Sequence, residues 1–196
     1  KLRKDFNKLI KITKLTNNFI NKEKKYLFFI NAQFYEVEQN FNEAKQSYKN
    51  SILCDISYFD AYINLLNLYE RTNDILNLKL LIQSAFKNFK DKKKKNILNF
   101  FDSLRLNREH KFKESTNLIL RSNLETAFKN NKIFQIRLLN LESKNNEKLK
   151  KYHEAFNKIE KRNSILLNLK ANKKYNKANI LDTIDKYKQF FIKKNL

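Results

Sequence analysis

The sequence contains no glycine, no proline and no methionine among its 196 residues. Without glycine it cannot form a Gly-rich phosphate-binding loop or a tight β-hairpin of the Asn-Gly type. Because methionine is missing, either the initiator was removed or the chain is a piece of a longer product, and we favour a piece. The missing residue types leave helices joined by Asn, Asp and Lys turns as the most accessible architecture.

Cysteine and long apolar runs are also scarce. Cys54 is the only cysteine, so no internal disulfide can form, and a reducing compartment is the natural setting. We expect this thiol to be a small core residue. No uninterrupted apolar run approaches the roughly 20 residues of a membrane span. These features predict a cytoplasmic protein without a membrane span.

Positive charge is abundant, with 42 basic residues and a formal net charge of +22. One interpretation is a surface for nucleic acid or an anionic membrane. The other is compositional drift, since a chain rich in Lys, Asn, Ile, Leu and Phe is typical of an AT-rich genome. Lys92 to Lys95 form one run, but the other basic residues are scattered, and no aromatic-basic motif accompanies them. We therefore favour drift, and we expect Lys90 to Lys95 to be a solvated turn between repeats.

Two stretches of the chain resemble each other at an offset of 34 residues. Each carries two trios of side chains at helical spacing, i, i+4 and i+7, separated by a polar turn. The first trios are Phe28, Ala32, Tyr35 and Tyr62, Leu66, Tyr69; the second trios are Ala44, Tyr48, Ser51 and Leu78, Ile82, Ala85. Two more degenerate units place Ser115 and Ala155 at the position of Ala44, with spacings of 37 and 40 residues.

A helix-turn-helix period of 34 residues resembles the tetratricopeptide repeat (TPR), although the family's Gly and Pro are missing here. The resemblance implies an all-α fold, a right-handed superhelix of antiparallel helix pairs with a concave groove. We expect a leading helix at residues 2 to about 21, hairpins at about 26–57, 60–90, 96–123 and 125–168, and a final helix at about 174–194. The repeat domain spans 1–170, and 171–196 is a C-terminal capping or linker helix. The repeat tyrosines are expected in the core: Tyr35, Tyr48, Tyr62 and Tyr69.

The same resemblance implies that a protein or peptide partner binds in the concave groove. In the family, the first helix of each repeat turns fixed positions toward the groove. The matching positions are a mixture of apolar, amide and charged side chains. The candidate groove residues among them are Phe29, Gln33, Glu36, Ile63, Asn67, Glu70, Arg71, Phe100, Leu104 and Arg108.

Catalytic chemistry is not indicated anywhere in the sequence. The two histidines, His110 and His153, fall at predicted helix-helix turns, and no second His or Cys lies at metal-ligand spacing. Nothing places a histidine and an orienting group beside Cys54. We therefore predict no catalytic residue, no metal site and no cofactor in this chain.

The last third is similar to the region that follows the repeats in bacterial TPR-containing sulfotransferases. The matching residues are Tyr152, Glu154, Ala155, Phe156, Asn163, Tyr175, Asp182 and Phe190 or Phe191. That family uses phosphoadenosine phosphosulfate (PAPS), whose phosphates bind a Gly-containing loop at a helix N-terminus. This chain has no glycine, so the resemblance implies the binding arm of such an enzyme without its catalytic domain.

The sequence thus predicts a TPR-like module that binds a protein or peptide, as the non-catalytic N-terminal arm of a sulfotransferase. Its own missing catalytic domain is a second expected partner. One alternative is a free-standing TPR adaptor or scaffold. Another is a basic helical-repeat protein that binds nucleic acid, which would gather its lysines on one continuous face.

Overall fold

The computed structural model describes residues 21–172, which form nine helices and no strand. The predicted leading helix and the predicted final helix lie outside the described residues. In chain order the helices are α1 (Asn21–Val37), α2 (Phe41–Cys54), α3 (Phe59–Arg71), α4 (Ile75–Asn88), α5 (Lys92–Arg108), α6 (Phe112–Arg121), α7 (Leu124–Ala127), α8 (Lys132–Lys148) and α9 (Tyr152–Asn172). The all-α class is therefore confirmed for the part of the chain that is described.

The chain divides into two compact units, with the boundary between Ala127 and Phe128. In the first unit each helix from α1 to α6 packs on the next, α3 also contacts α5, and α7 packs on α5 and α6. In the second unit α8 and α9 pack together as a hairpin. The architecture is repeat-like, and the TPR superhelix and the predicted boundary at residue 170 stay predictions.

One turn recurs in all four hairpins of residues 21–172, which are α1/α2, α3/α4, α5/α6 and α8/α9. Gln39, Asn73, His110 and Lys150 have positive φ angles of 59°, 54°, 61° and 62°. The next residue donates its N–H back to a carbonyl in the last turn of the preceding helix, as from Asn40 to Tyr35 at 2.8 Å. Helices commonly end in this way, usually with glycine at the left-handed position. Because this chain has no glycine, other residue types occupy that conformation in every hairpin.

The recurring turn tests the proposed alignment of the four units. In every hairpin the residue five positions after the left-handed residue is buried in the second helix: Ala44, Leu78, Ser115 and Ala155. These four residues are the ones that the alignment of the repeats within this chain placed at equivalent positions. The spacings of 37 and 40 residues therefore separate equivalent positions.

Apolar burial holds the hairpins together. The predicted core tyrosines Tyr48, Tyr62 and Tyr69 are buried, and Tyr35 is half-buried. Full burial of a large apolar side chain contributes about 1.5–3 kcal/mol.

The predicted solvated turn at Lys90 to Lys95 is wrong in its second part, because α5 begins at Lys92. Asp91 caps this helix by accepting the N–H of Lys94 at 3.0 Å. Cations at a helix N-terminus oppose the helix dipole at a cost of about 0.3–1 kcal/mol each. The cap and the burial of Leu98, Phe100 and Phe101 outweigh that cost.

Candidate functional site

Four of the predicted groove residues form ion pairs between successive hairpins. Arg71 Nη2 lies 2.5 Å from Glu36 Oε2, and Arg108 Nη2 lies 2.6 Å from Glu70 Oε1. In both pairs a glutamate near the end of one first helix binds an arginine at the end of the next. The structure therefore brings these residues together, and each pair links the ends of two successive first helices.

Glu36 and Arg71 make further contacts within the protein. The Tyr48 hydroxyl donates to Glu36 Oε1 at 2.6 Å, and burial together with this bond raises the pKa of Tyr48. The Arg71 guanidinium lies 5.3 Å from the ring centroid of Phe41. At this hairpin the charged groups of the predicted groove are thus engaged internally.

The uncharged groove residues differ in accessibility. Phe29 is half-buried, with its ring centroid 5.7 Å from that of Tyr48 and 5.2 Å from that of Tyr58. Phe100 is fully buried and packs edge-on against Phe101, so it offers no surface to a partner. Of the remaining four, one is exposed, Gln33, and three are half-buried, Ile63, Asn67 and Leu104.

An open apolar groove of about 330 Å³ lies elsewhere in the first unit, between α2 and α4. The two helices form its walls, and α3, on which both pack, forms its floor. Its lining residues are Lys49, Ile52 and Leu53 from α2, Leu65 and Tyr69 from α3, and Asn77, Leu80, Leu81 and Ser84 from α4. We call this the α2–α4 groove.

Two of the four leucines that line the α2–α4 groove are exposed to solvent. Leu53 is 77% exposed and Leu80 is 53% exposed, and one helical turn before Leu80 on α4, Leu76 is 69% exposed. Single exposed leucines are ordinary on protein surfaces, whereas apolar side chains gathered at a concave site are typical of binding surfaces.

An ion pair joins the two walls of the groove. Lys45 on α2 places its Nζ 3.0 Å from Oδ2 of Asp74, the residue that caps α4. Burial disfavours ionisation of Asp74, but hydrogen bonds from Lys45 and Asn77 outweigh it and lower its pKa. Burial and the nearby Asp74 raise the pKa of Tyr69 to about 12, so the groove floor is uncharged at neutral pH.

The described residues show little that could act chemically. His110 lies in the turn between α5 and α6, as predicted, whereas His153 lies in the first turn of α9 and not in a turn between helices; both are exposed. Cys54 is half-buried rather than part of the core, and burial raises the pKa of its thiol, which disfavours the reactive thiolate. Within residues 21–172 no three His, Cys, Asp or Glu side chains are grouped so that they could hold a metal. Over the same residues, no helix has the length and apolarity to span a membrane.

Comparison with known proteins gives no family model, no curated protein and no solved structure that matches the chain.

Sequence reasoning missed the α2–α4 groove because it followed the buried trios of each second helix. The available signal was a surplus of apolar residues outside those trios. Leu53 lies two positions after the last trio residue of α2, and Leu80 lies between two trio residues of α4. Such a wider apolar stripe indicates a second contact surface on the helix.

Proposed function

We propose that this chain is a helical-repeat module that binds a helix of a protein partner in the α2–α4 groove. One observation carries the proposal: leucines on facing helices remain open to solvent over a concave apolar floor. Its volume of about 330 Å³ is at the low end of the range for ligand sites, roughly 300–1,000 Å³. The groove therefore receives a few anchoring side chains.

The geometry of the walls favours a helix as the ligand. On α4 the lining residues follow the spacing i, i+3, i+4 and i+7, and on α2 they follow i, i+3 and i+4. Such ridges match those of a third helix laid between them. A bound strand would need a sheet edge with unpaired backbone groups, and residues 21–172 contain no strand. Helix-in-groove recognition is the mode that the spacing of these ridges favours.

The proposal is tested with helical peptides selected by surface display against the full 196-residue chain. Selected peptides are then measured against the double variant Leu53→Asp/Leu80→Asp. Each substitution puts a charge where an apolar anchor should bind, and losing an interface hot spot costs about 2 kcal/mol or more. We expect at least about a 30-fold weaker Kd by fluorescence anisotropy.

The matched control is Leu120→Asp on α6, where the leucine is 68% exposed but does not line the groove. This variant should bind the selected peptides as tightly as the unmodified chain. If both variants bind equally well, the groove is not the binding site and the proposal fails.

Two assignments made from the sequence stay predictions: the sulfotransferase arm and the partner site on α1, α3 and α5. A role as the arm of a PAPS-dependent sulfotransferase is tested by reading the parent gene beyond Leu196 for a strand and a Gly-containing phosphate loop. A partner site on α1, α3 and α5 is tested by Gln33→Ala and Asn67→Ala in the same peptide assay.

A further inference from the structure

The charge around the α2–α4 groove indicates what kind of helix it binds, and this inference rests on the function proposed above. No carboxylate is among the nine lining residues. Lys49, exposed on the α2 wall, is the one lining residue charged at neutral pH, because Tyr69 stays protonated. The carboxylate that joins the walls, Asp74, is already bound by Lys45. The rim therefore presents positive charge without a competing carboxylate.

The opposite arrangement occurs on α1, α3 and α5. There Glu36 and Glu70 supply carboxylates that balance Arg71 and Arg108. The difference makes the groove the more suitable of the two surfaces for an acidic ligand. The net charge of +22 acts in the same direction, because it attracts anionic partners at long range.

A second copy of this chain is disfavoured as the occupant by the same charge. Two molecules of +22 repel each other, so self-association through the groove would have to overcome that repulsion. A partner with negative charge meets no such barrier. Complementary charge chiefly raises the association rate and suppresses wrong partners.

We propose that the α2–α4 groove binds an acidic amphipathic helix. Its apolar side chains, spaced i, i+3, i+4 and i+7, would lie between Leu53 and Leu80 over Tyr69. Its flanking Asp or Glu residues would face Lys49.

Three designed peptides test this proposal against the full chain. All carry the same number of leucines: the first has them at i, i+3, i+4 and i+7 with glutamate flanks, the second has the same pattern with lysine flanks, and the third has glutamate flanks and scrambled leucines. We expect the first to bind at least about tenfold more tightly than either other peptide. Its affinity should fall as salt rises, since surface charge pairs are screened.

Lys49→Glu tests the rim directly, with Lys113→Glu on α6 as a control of equal charge change. Losing one exposed charge pair weakens binding by up to about fivefold, and reversing the charge adds repulsion to that loss. Lys49→Glu should therefore weaken binding of the first peptide about fivefold or more and reduce its salt dependence, whereas Lys113→Glu should change it less than twofold. Equal effects of the two variants would overturn the inference, because only the net charge would then matter.

The outcomes separate this inference from the proposed function. If the lysine-flanked peptide binds as tightly as the glutamate-flanked one, and Leu53→Asp/Leu80→Asp weakens both, the acidic partner is wrong but helix binding stands. If no peptide, designed or selected, responds to the leucine variants, both proposals fail. If the chain dimerises in sedimentation and Leu53→Asp/Leu80→Asp abolishes the dimer, a second copy occupies the groove and the acidic partner is wrong.

Discussion

On α1, α3 and α5 the four charged residues of the predicted groove are held in ion pairs between hairpins, whereas between α2 and α4 two of the lining leucines are exposed to solvent. Glu36, Glu70, Arg71 and Arg108 have internal partners, and Phe100 is buried. Leu53 and Leu80, by contrast, expose most of their surface. The charged side chains of the first surface bind one another between the hairpins. The second surface leaves apolar area exposed, which another molecule can cover.

A repeat pattern alone does not distinguish residues that bind a partner from residues that join neighbouring hairpins, and four of the predicted groove residues do the latter. A position that faces a groove in one repeat family can instead join neighbouring hairpins here. The useful criterion is whether a side chain's interactions are already satisfied within the fold. By that criterion the α2–α4 groove is the better candidate.

The largest effect is expected at the floor of the groove. Tyr69 is buried against α2 and α4 and also lies under the Lys45 ammonium, 5.3 Å from the ring centroid. Tyr69→Ala should lower the free energy of unfolding by roughly 3–5 kcal/mol, because it leaves a cavity beneath both walls. Urea unfolding followed by circular dichroism measures this change.

Tyr152→Ala on α9 is the control, since Tyr152 is 65% exposed. It should change the free energy of unfolding by less than about 0.5 kcal/mol. If Tyr69→Ala changes the free energy of unfolding equally little, Tyr69 does not form a rigid floor for the groove. The contrast between the ion-paired surface and the α2–α4 groove then disappears.

Much of the fold could be predicted from the sequence because helical periodicity reports burial. The aligned trios identified Tyr48, Tyr62 and Tyr69 as core, and the turns fell where the polar breaks indicated. The start of α5 was missed because a run of four lysines resembles a solvated turn. Capping by Asp91 and burial of the next helical turn decided that boundary.

The candidate site was harder to predict, because it depends on which residues meet across hairpins. The pairs Glu36–Arg71 and Glu70–Arg108 join residues 35 and 38 positions apart, and no periodicity within one helix indicates them. The α2–α4 groove likewise exists only where two second helices pack on the same first helix, α3. The sequence shows that Leu53 and Leu80 lie outside the buried trios, but it does not show that the two side chains line the same groove.

A smaller effect is expected at the ion pair that joins the groove walls. Asp74→Ala removes the cap of α4 and the partner of Lys45, and loss of such a cap costs about 0.5–2 kcal/mol. Asp74→Asn is the matched control, because an amide still caps the helix but carries no charge. We expect the asparagine variant to retain most of the stability in urea unfolding at neutral pH.

The same pair predicts a pH dependence. The pKa of Asp74 is lower in the folded protein than its ordinary value of 3.8, so the unfolded chain binds the proton more tightly. The stability that Asp74 contributes is present above that ordinary value and is lost as pH falls through the folded pKa. Between about pH 5 and about pH 3 the unmodified chain should therefore lose more stability than Asp74→Asn. If the stability of both proteins falls equally over this pH range, the Lys45–Asp74 ion pair does not stabilise the contact between the two groove walls.

The smallest effect is expected on the ion-paired surface, where a double-mutant cycle of Glu70→Ala and Arg108→Ala isolates one bridge. The two side chains are partly exposed, so the coupling energy should be about 0.5–1 kcal/mol and should shrink at about 1 M salt. Urea unfolding of the four proteins in the cycle gives this value. The control is a cycle of Glu70→Ala with Lys113→Ala. Lys113 lies on α6 and is not the ion-pair partner of Glu70, so this cycle should show no coupling.

A measurable coupling would mean that the charged residues on α1, α3 and α5 contribute to stacking, which any ligand binding there would have to disrupt. A coupling of zero would mean that the bridge makes no net contribution and that its groups are free to exchange partners. The face on α1, α3 and α5 would then be as available to a ligand as the groove is. In that case the Kd values of the selected peptides for Gln33→Ala and Asn67→Ala would decide which of the two surfaces binds them.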